Sequence, residues 1–307
     1  MPQDVKDGFR IAAVPFSRFK HAHDGSGDDV PELLTRLRST DADVSGQALG
    51  ELWDGLVHQG TVGSVAPLTV PFLLRVAADP SAHHRSSIIR LATAVARQQH
   101  WGYGTRDTFL QVATQQWTCD CSGYAMNWSI EASRNAVTAD ADLLLPHLHD
   151  PDPDVRTSAC YALATASGKA RRITEALRAR LAAEQIPAVR ASLVLAIAEL
   201  AFENADLRAA AWARTLWPDP ARPADVRVPA VLAWLCLVDA PVPDELRTML
   251  DALVTDDLAD VLDGVPWIAH VDEKGLVRTI DQMLNNAKPG VIDPWDDDPG
   301  PDARCGH

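Results

Sequence analysis

The strongest constraint on this chain is that a stretch of it repeats. Val155-Arg156-Thr157-Ser158-Ala159-Cys160-Tyr161-Ala162-Leu163 returns thirty-four residues later as Val189-Arg190-Ala191-Ser192-Leu193-Val194-Leu195-Ala196-Ile197. In both copies apolar residues stand three, six and seven positions after the arginine. Val226-Arg227 opens a third copy thirty-seven residues further on, with Ala230, Ala233 and Trp234 at the same offsets. Pro153, Pro187 and Pro223 precede the three valines by two or three residues, where the missing proline N–H costs a helix nothing because first-turn amides have no partner in the helix. A period of this length means stacked helical hairpins, since one hairpin cannot bury its own apolar face. The spacing therefore predicts an all-α chain, a right-handed α-solenoid of six or seven hairpins.

A stack of this kind can be of any length, so the 307 residues are read as one elongated array rather than two globular domains. Hydrophobic residues make up 47% of the sequence, enough for a continuous interior. The formal charge of −14 argues against nucleic acid, which is gripped mainly by neutralising phosphates, and suits a basic partner. The amino terminus shows no signal peptide and no segment is long and apolar enough to span a membrane, so a cytoplasmic location is expected. The five cysteines are scattered and are expected to be reduced, with Cys160 and Cys236 on repeat helices as core residues.

Along the chain, residues 1–29 read as an amino-terminal cap segment and 30–287 as the solenoid. Helical spacing predicts helices over 31–38, 42–59 and 66–78, then one carrying Ile88, Leu91 and Val95. Before that last helix the Val-Arg marker has decayed to His84-Arg85. Residues 100–128 form an irregular insertion, with a helix predicted from Arg106 to Trp117 between two turn segments. Regular helices resume at 140–149, 154–167, 171–183, 188–202, 204–216 and 225–238, followed by shorter ones and a capping helix over 276–286. Residues 288–307, rich in Pro, Gly and Asp, read as a disordered acidic tail.

The run Leu144-Leu145-Pro146-His147-Leu148-His149-Asp150-Pro151-Asp152-Pro153-Asp154-Val155-Arg156, followed by Ala159, Ala162 and Leu163, resembles a HEAT repeat. In that family a proline interrupts the first helix, an Asp precedes the second, and a Val-Arg pair opens it. Ile186 and Ala188 depart from the pattern in the next unit, and the short period is shared with the PBS-lyase-type subclass. The string Ala48–Val62, which contains Trp53, His58 and Gln59, looks like the opening repeat of bacterial HEAT-repeat proteins. The resemblance implies a fold more firmly than an activity. It implies first a scaffold or adaptor that holds a protein or peptide in the groove lined by the second helices; an immunity-type protein neutralising a basic partner is one form of it. Two other classes stay open: a HEAT-like enzyme of nucleic-acid glycosylase or lyase type working near 100–128, and a structural subunit of an assembly.

Candidate contact residues are Trp53, His58, Gln59, Trp101, Tyr103, Tyr124, Trp128 and Tyr161. Six of the eighteen aromatics, Trp101, Tyr103, Phe109, Trp117, Tyr124 and Trp128, fall within residues 101–128, and such side chains anchor either an interface or a local core. Trp101, Tyr103 and Tyr124 lie in the turn segments and read as contacts; Phe109 and Trp117 read as core. His58-Gln59-Gly60 fits either a ligand contact or an ordinary helix end, where a histidine offsets the dipole. Arg156, Arg190 and Arg227 read as structural, bonded to neighbouring repeats. The pairs His21/His23, His147/His149 and Cys119/Cys121 are metal-binding types at spacings unlike those of structural zinc sites, so no metal is assigned. No nucleophile motif, phosphate loop or paired-carboxylate motif calls for catalysis or a cofactor.

Overall fold

The computed structural model describes residues 1–23, 25–58, 60–97, 104–113, 118–119, 124–125, 128–269 and 275–285. A short helix, α1 (Gln3–Asp7), precedes the first pair, α2 (Val30–Leu37) and α3 (Ala42–Leu56). Asp41 caps α3 by accepting the amide hydrogens of Asp43 and Val44. There follow α4 (Ala66–Ala78), α5 (Arg85–Ala94), α6 (Trp128–Asp140) and α7 (Pro153–Ala164). The regular half continues with α8 (Ala170–Ala183), α9 (Pro187–Glu203), α10 (Arg208–Leu216) and α11 (Ala224–Leu237). The chain then forms α12 (Asp244–Leu253), α13 (Asp256–Asp263), α14 (Pro266–Ala269) and α15 (Gly275–Asn285).

The prolines act as the sequence implies. Pro153 and Pro187 are the first residues of α7 and α9, and Pro223 immediately precedes α11. The second helices of successive pairs stack on one another in order, α5 on α7, α7 on α9 and α9 on α11. The first helices flank them, α4 on α5, α8 on α9 and α10 on α11. Of the residues at the repeated offsets, Ala159, Ala162, Leu163, Leu193, Ala196, Ile197, Ala230 and Ala233 are buried, and Trp234 is half-buried against the core. In α9 every residue from Ala191 to Ala201 is buried, as a helix apolar on all sides requires.

What closes the fourth side of α9 was not legible from periodicity. The carboxy-terminal helices fold back over the stack: α13 packs on α9 and α11, α14 on α7 and α9, and α15 on α11. The turn into α15 needs Gly275, which has φ +61°; a Cβ there would lie 2.2 Å from Asp263 Oδ1, the oxygen that accepts the Leu276 amide hydrogen at 2.7 Å. At the other end α1 is tied down on α4. Lys6 Nζ lies 2.9 Å from Asp140 Oδ1, Arg75 joins Asp7 to Asp140, and the Phe9 ring meets Phe72 edge-on.

Several predicted helices differ from the observed ones, among them the helix over 204–216, which begins only at Arg208, and the helix over 154–167, which ends at Ala164. The helix ending at 59 stops at Leu56, because Val57–His58 (β1) pairs antiparallel with Thr61–Val62 (β2) around Gly60 at φ 82°. A second short hairpin pairs Thr118–Cys119 (β3) with Tyr124–Ala125 (β4). The helix over 140–149 is two 3-10 turns, Ala141–Leu143 and Leu145–His149, the second containing Pro146, which has no N–H to continue an α ladder. Of the helix expected over 106–117, residues 106–113 form turns and bends instead and 114–117 lie outside the described residues. There the Arg106 side chain donates to the carbonyls of Leu235, Val238 and Ala240, and the Val112 amide donates to Glu203, so the segment is held to distant partners beside the local turn bonds of Thr108 and Phe109 to Thr105 and of Gln111 to Thr108. Phe109, Leu110 and Val112 are nonetheless buried.

One interaction recurs from repeat to repeat. The arginine in the first turn of α5, α7 and α9 reaches a carboxylate at or just before the start of the next inner helix: Arg85 to Asp150 at 2.8 Å, Arg156 to Glu184 at 2.9 Å, Arg190 to Asp225 at 2.5 Å. Arg227, the last of the series, donates to the Trp217 carbonyl at 2.8 Å. Glu184 also accepts the amide hydrogens of Gln185 and Ile186 at the start of α9, and is held by Arg180 as well. Burial pushes its carboxyl up, but those amides and the two arginines outweigh it and bring the pKa down to about 2. A carboxylate depressed in this way contributes stability that is complete above its unfolded value and is lost as pH falls through about 2. Glu184→Gln is expected to cost about 3 kcal/mol in urea unfolding at neutral pH. The gap between variant and parent should close steadily as the pH is lowered below the ordinary glutamate range.

Candidate functional site

Within the apolar run of α9 stands one acid. Glu199 is fully buried, with Arg97 paired to one oxygen and the indole N–H of Trp267 donating to the other at 2.6 Å. Arg97 comes from the turn beyond α5, Glu199 from α9 and Trp267 from α14, so one cluster ties together three segments far apart in the sequence. Tyr161 on α7 completes it. Its ring meets Trp267 edge-on with centroids 4.8 Å apart, and the Arg97 guanidinium lies 3.8 Å from the Tyr161 centroid.

The electrostatics follow from enclosure. Burial raises the Glu199 carboxyl above its ordinary value, although the Arg97 charge and the Trp267 N–H oppose it. Burial likewise raises the Tyr161 phenol and the Cys160 thiol beside it, which leaves that thiol unreactive as a nucleophile. Both Glu199 oxygens are taken, while Arg97 Nε has no hydrogen-bond partner among the described residues. In this arrangement the cluster locks α14 onto the inner helices and presents no free acid or base.

Next to it, Glu203 at the end of α9 pairs with Arg134 of α6 and accepts the Val112 amide hydrogen, and Gly104 N donates to Gln282 on α15 at 2.9 Å. The described part of the irregular insertion is thereby fastened to the carboxy-terminal ends of α9 and α11 and to α15.

The residues singled out from sequence are dispersed. Tyr161 belongs to the buried cluster, with 8% of its surface exposed. Trp53 is half-buried against the core, and the half-buried His58 ring lies against His23 with centroids 3.8 Å apart and planes inclined at 50°. Trp128, 44% exposed, begins α6. Tyr124 pairs through its backbone with Cys119. Gln59, Trp101 and Tyr103 lie outside the described residues, as do Trp117 and Cys121. Of the histidine pairs, His21 bonds Asp29 and the Gly55 carbonyl, and His147 Nδ1 accepts from Arg85 at 3.1 Å. Burial, helped by the Arg85 charge, lowers the His147 pKa. Among the described residues no three metal-ligating side chains converge.

Sequence reasoning missed Arg97, Glu199 and Trp267. A signal existed for one of them: Glu199 is the lone charge in Leu193–Phe202, and a charge inside an apolar run requires a partner. Nothing local identifies that partner, since Arg97 and Trp267 are 102 and 68 residues away.

Comparison with known families matches residues 142–167 to the HEAT repeat. The match spans Asp150, Arg156 and Tyr161, and so includes one rung of the arginine series and one wall of the cluster. No curated protein matches the chain.

Trp267 tests the cluster. Trp267→Phe keeps an aromatic edge for Tyr161 but deprives Glu199 of a donor, and is expected to cost about 1–3 kcal/mol in chemical denaturation. Trp267→Ala, which also empties the ring's volume, should cost about 3–5 kcal/mol. Equal and negligible losses would show that α14 only rests on the stack.

Proposed function

Because this chain is a HEAT-repeat protein, we propose that it serves as a scaffold or adaptor that holds a protein or peptide, its hairpins following the right-handed superhelix expected of such repeats. The observation that carries this reading is the repeated arginine–carboxylate link in register with the HEAT match. It fixes successive repeats relative to one another, and a preformed extended surface binds without first being ordered. Glu199, Arg97 and Tyr161, the inner-face side chains closest to an enzyme's repertoire, are engaged with one another and with Trp267, which favours a binding role over the glycosylase or lyase reading.

The sequence charge of −14 supports a basic partner, met by electrostatic steering in the cytoplasm; neutralisation of a basic toxin in an immunity role is one specific form. Trp128 is the exposed aromatic candidate for that surface, and Trp53 and His58 flank a second position at the amino-terminal hairpin. Affinity capture with the full chain from its native cells should yield a stoichiometric protein partner. For the purified pair, the dissociation constant should rise about tenfold or more between low and high ionic strength. Absence of any stoichiometric partner would overturn the scaffold reading, and a salt-independent affinity would overturn the basic partner.

A further inference from the structure

The outer layer holds a cleft whose chemistry runs against the charge of the whole chain. It lies between α8 and α10, has a volume of about 750 Å³, and is floored by Ile197, Leu200 and Ala201 of α9. On its α10 side Trp212 is half-buried, with the Arg178 guanidinium of α8 5.1 Å from its ring centroid. Leu207, between the cleft residues Asp206 and Arg208, is 82% exposed.

The two flanking helices are cationic in a chain of net charge −14. Helix α8 carries four arginines and one glutamate, and α10 carries two arginines and no acid. Most are already paired: Arg172 with Asp142, Arg180 with Glu184, Arg208 with Asp206 and Arg214 with Glu245. Arg171 and Arg178 both line the cleft, both are exposed, and neither has an ion-pair partner among the described residues. They are seven residues apart, two helical turns, and so stand on one face about 10 Å from each other.

We propose that this cleft is a docking surface for an acidic amphipathic helix of a partner protein. Carboxylates two turns apart on that helix pair with Arg171 and Arg178, and an apolar side chain between them enters the cleft over Ile197 and Leu200 beside Trp212. The occupant completes the outer layer where α8 and α10 leave it open. A helix fits better than nucleic acid: the floor is apolar and Leu207 offers further apolar surface, which a phosphate backbone would leave uncovered. The surface is distinct from any that takes a basic partner, so the two stand or fall separately, and together they give the scaffold a partner of each sign.

The test uses the full chain and a fluorescein-labelled helical peptide of leucine and glutamate, with glutamates two turns apart on either side of a leucine stripe. Its lysine-for-glutamate counterpart and a labelled oligo-dT strand serve as the other probes. In fluorescence anisotropy the acidic peptide is expected to bind saturably and the lysine peptide not to bind. The double variant Arg171→Glu/Arg178→Glu should weaken binding about tenfold or more with an unchanged melting temperature, since both side chains are exposed. Arg18→Glu/Lys20→Glu, an equal change of net charge at the amino-terminal end, should bind like the parent. No binding of the acidic peptide, equal weakening by both double variants, or tighter binding of oligo-dT would each overturn the proposal.

Discussion

Three successive inner helices, α5, α7 and α9, begin with an arginine that leaves its own repeat and binds a carboxylate in the next, and the stack depends on that link. Apolar packing between helices is tolerant of sliding, because alanine and leucine surfaces accept several registers. A guanidinium fork on a carboxylate accepts one. Arg85, Arg156 and Arg190 each make this contact one repeat onward, to Asp150, Glu184 and Asp225. Breaking such a partly buried pair leaves a charge without its counterpart, so the link holds register more than it adds net stability. Glu184 shows how closely it is joined to helix initiation, since the same carboxylate that receives Arg156 also receives the amides of Gln185 and Ile186, the two residues that lead into α9.

The inner helices must be covered on every side once α9 is apolar all round. The neighbouring inner helices and α8 cover three sides, and α13 and α14 cover the remainder. Glu199 makes that cover specific, since a buried carboxylate requires donors and receives them from Arg97 and Trp267. The face of the second helices, where sequence reading placed a binding groove, is therefore occupied over α7, α9 and α11 by the chain's own carboxy-terminal helices. Recognition falls to what this closure leaves open: the outer layer and the amino-terminal hairpin.

Periodic features were legible in the sequence and non-periodic ones were not. The Val-Arg spacing placed the starts of α7, α9 and α11 within one residue, because first-turn prolines and apolar offsets are local signals. Arg85 looked like a decayed marker, yet it occupies the same structural position; His84 before it takes a left-handed φ of 55° where the other copies have valine. The turns at 104–113 deceived the helical reading, since Phe109 and Leu110 are buried at spacings a helix would also give, while what anchors the segment, Arg106 to Val238 and the Val112 amide to Glu203, lies far along the chain. Tyr161 was singled out, but the residues that give it a setting, Arg97, Glu199 and Trp267, come together only when the carboxy terminus folds back.

The most direct measurement of the central claim is a double-mutant cycle across one inter-repeat link, Arg190→Ala and Asp225→Ala alone and together, by equilibrium unfolding. If the arginine ladder couples successive repeats, the pair will show an interaction energy of about 1–3 kcal/mol, the double variant being less destabilised than the sum of the two singles. Additive losses would mean that the repeats are held by apolar packing alone and that the repeated arginine is incidental to the stack.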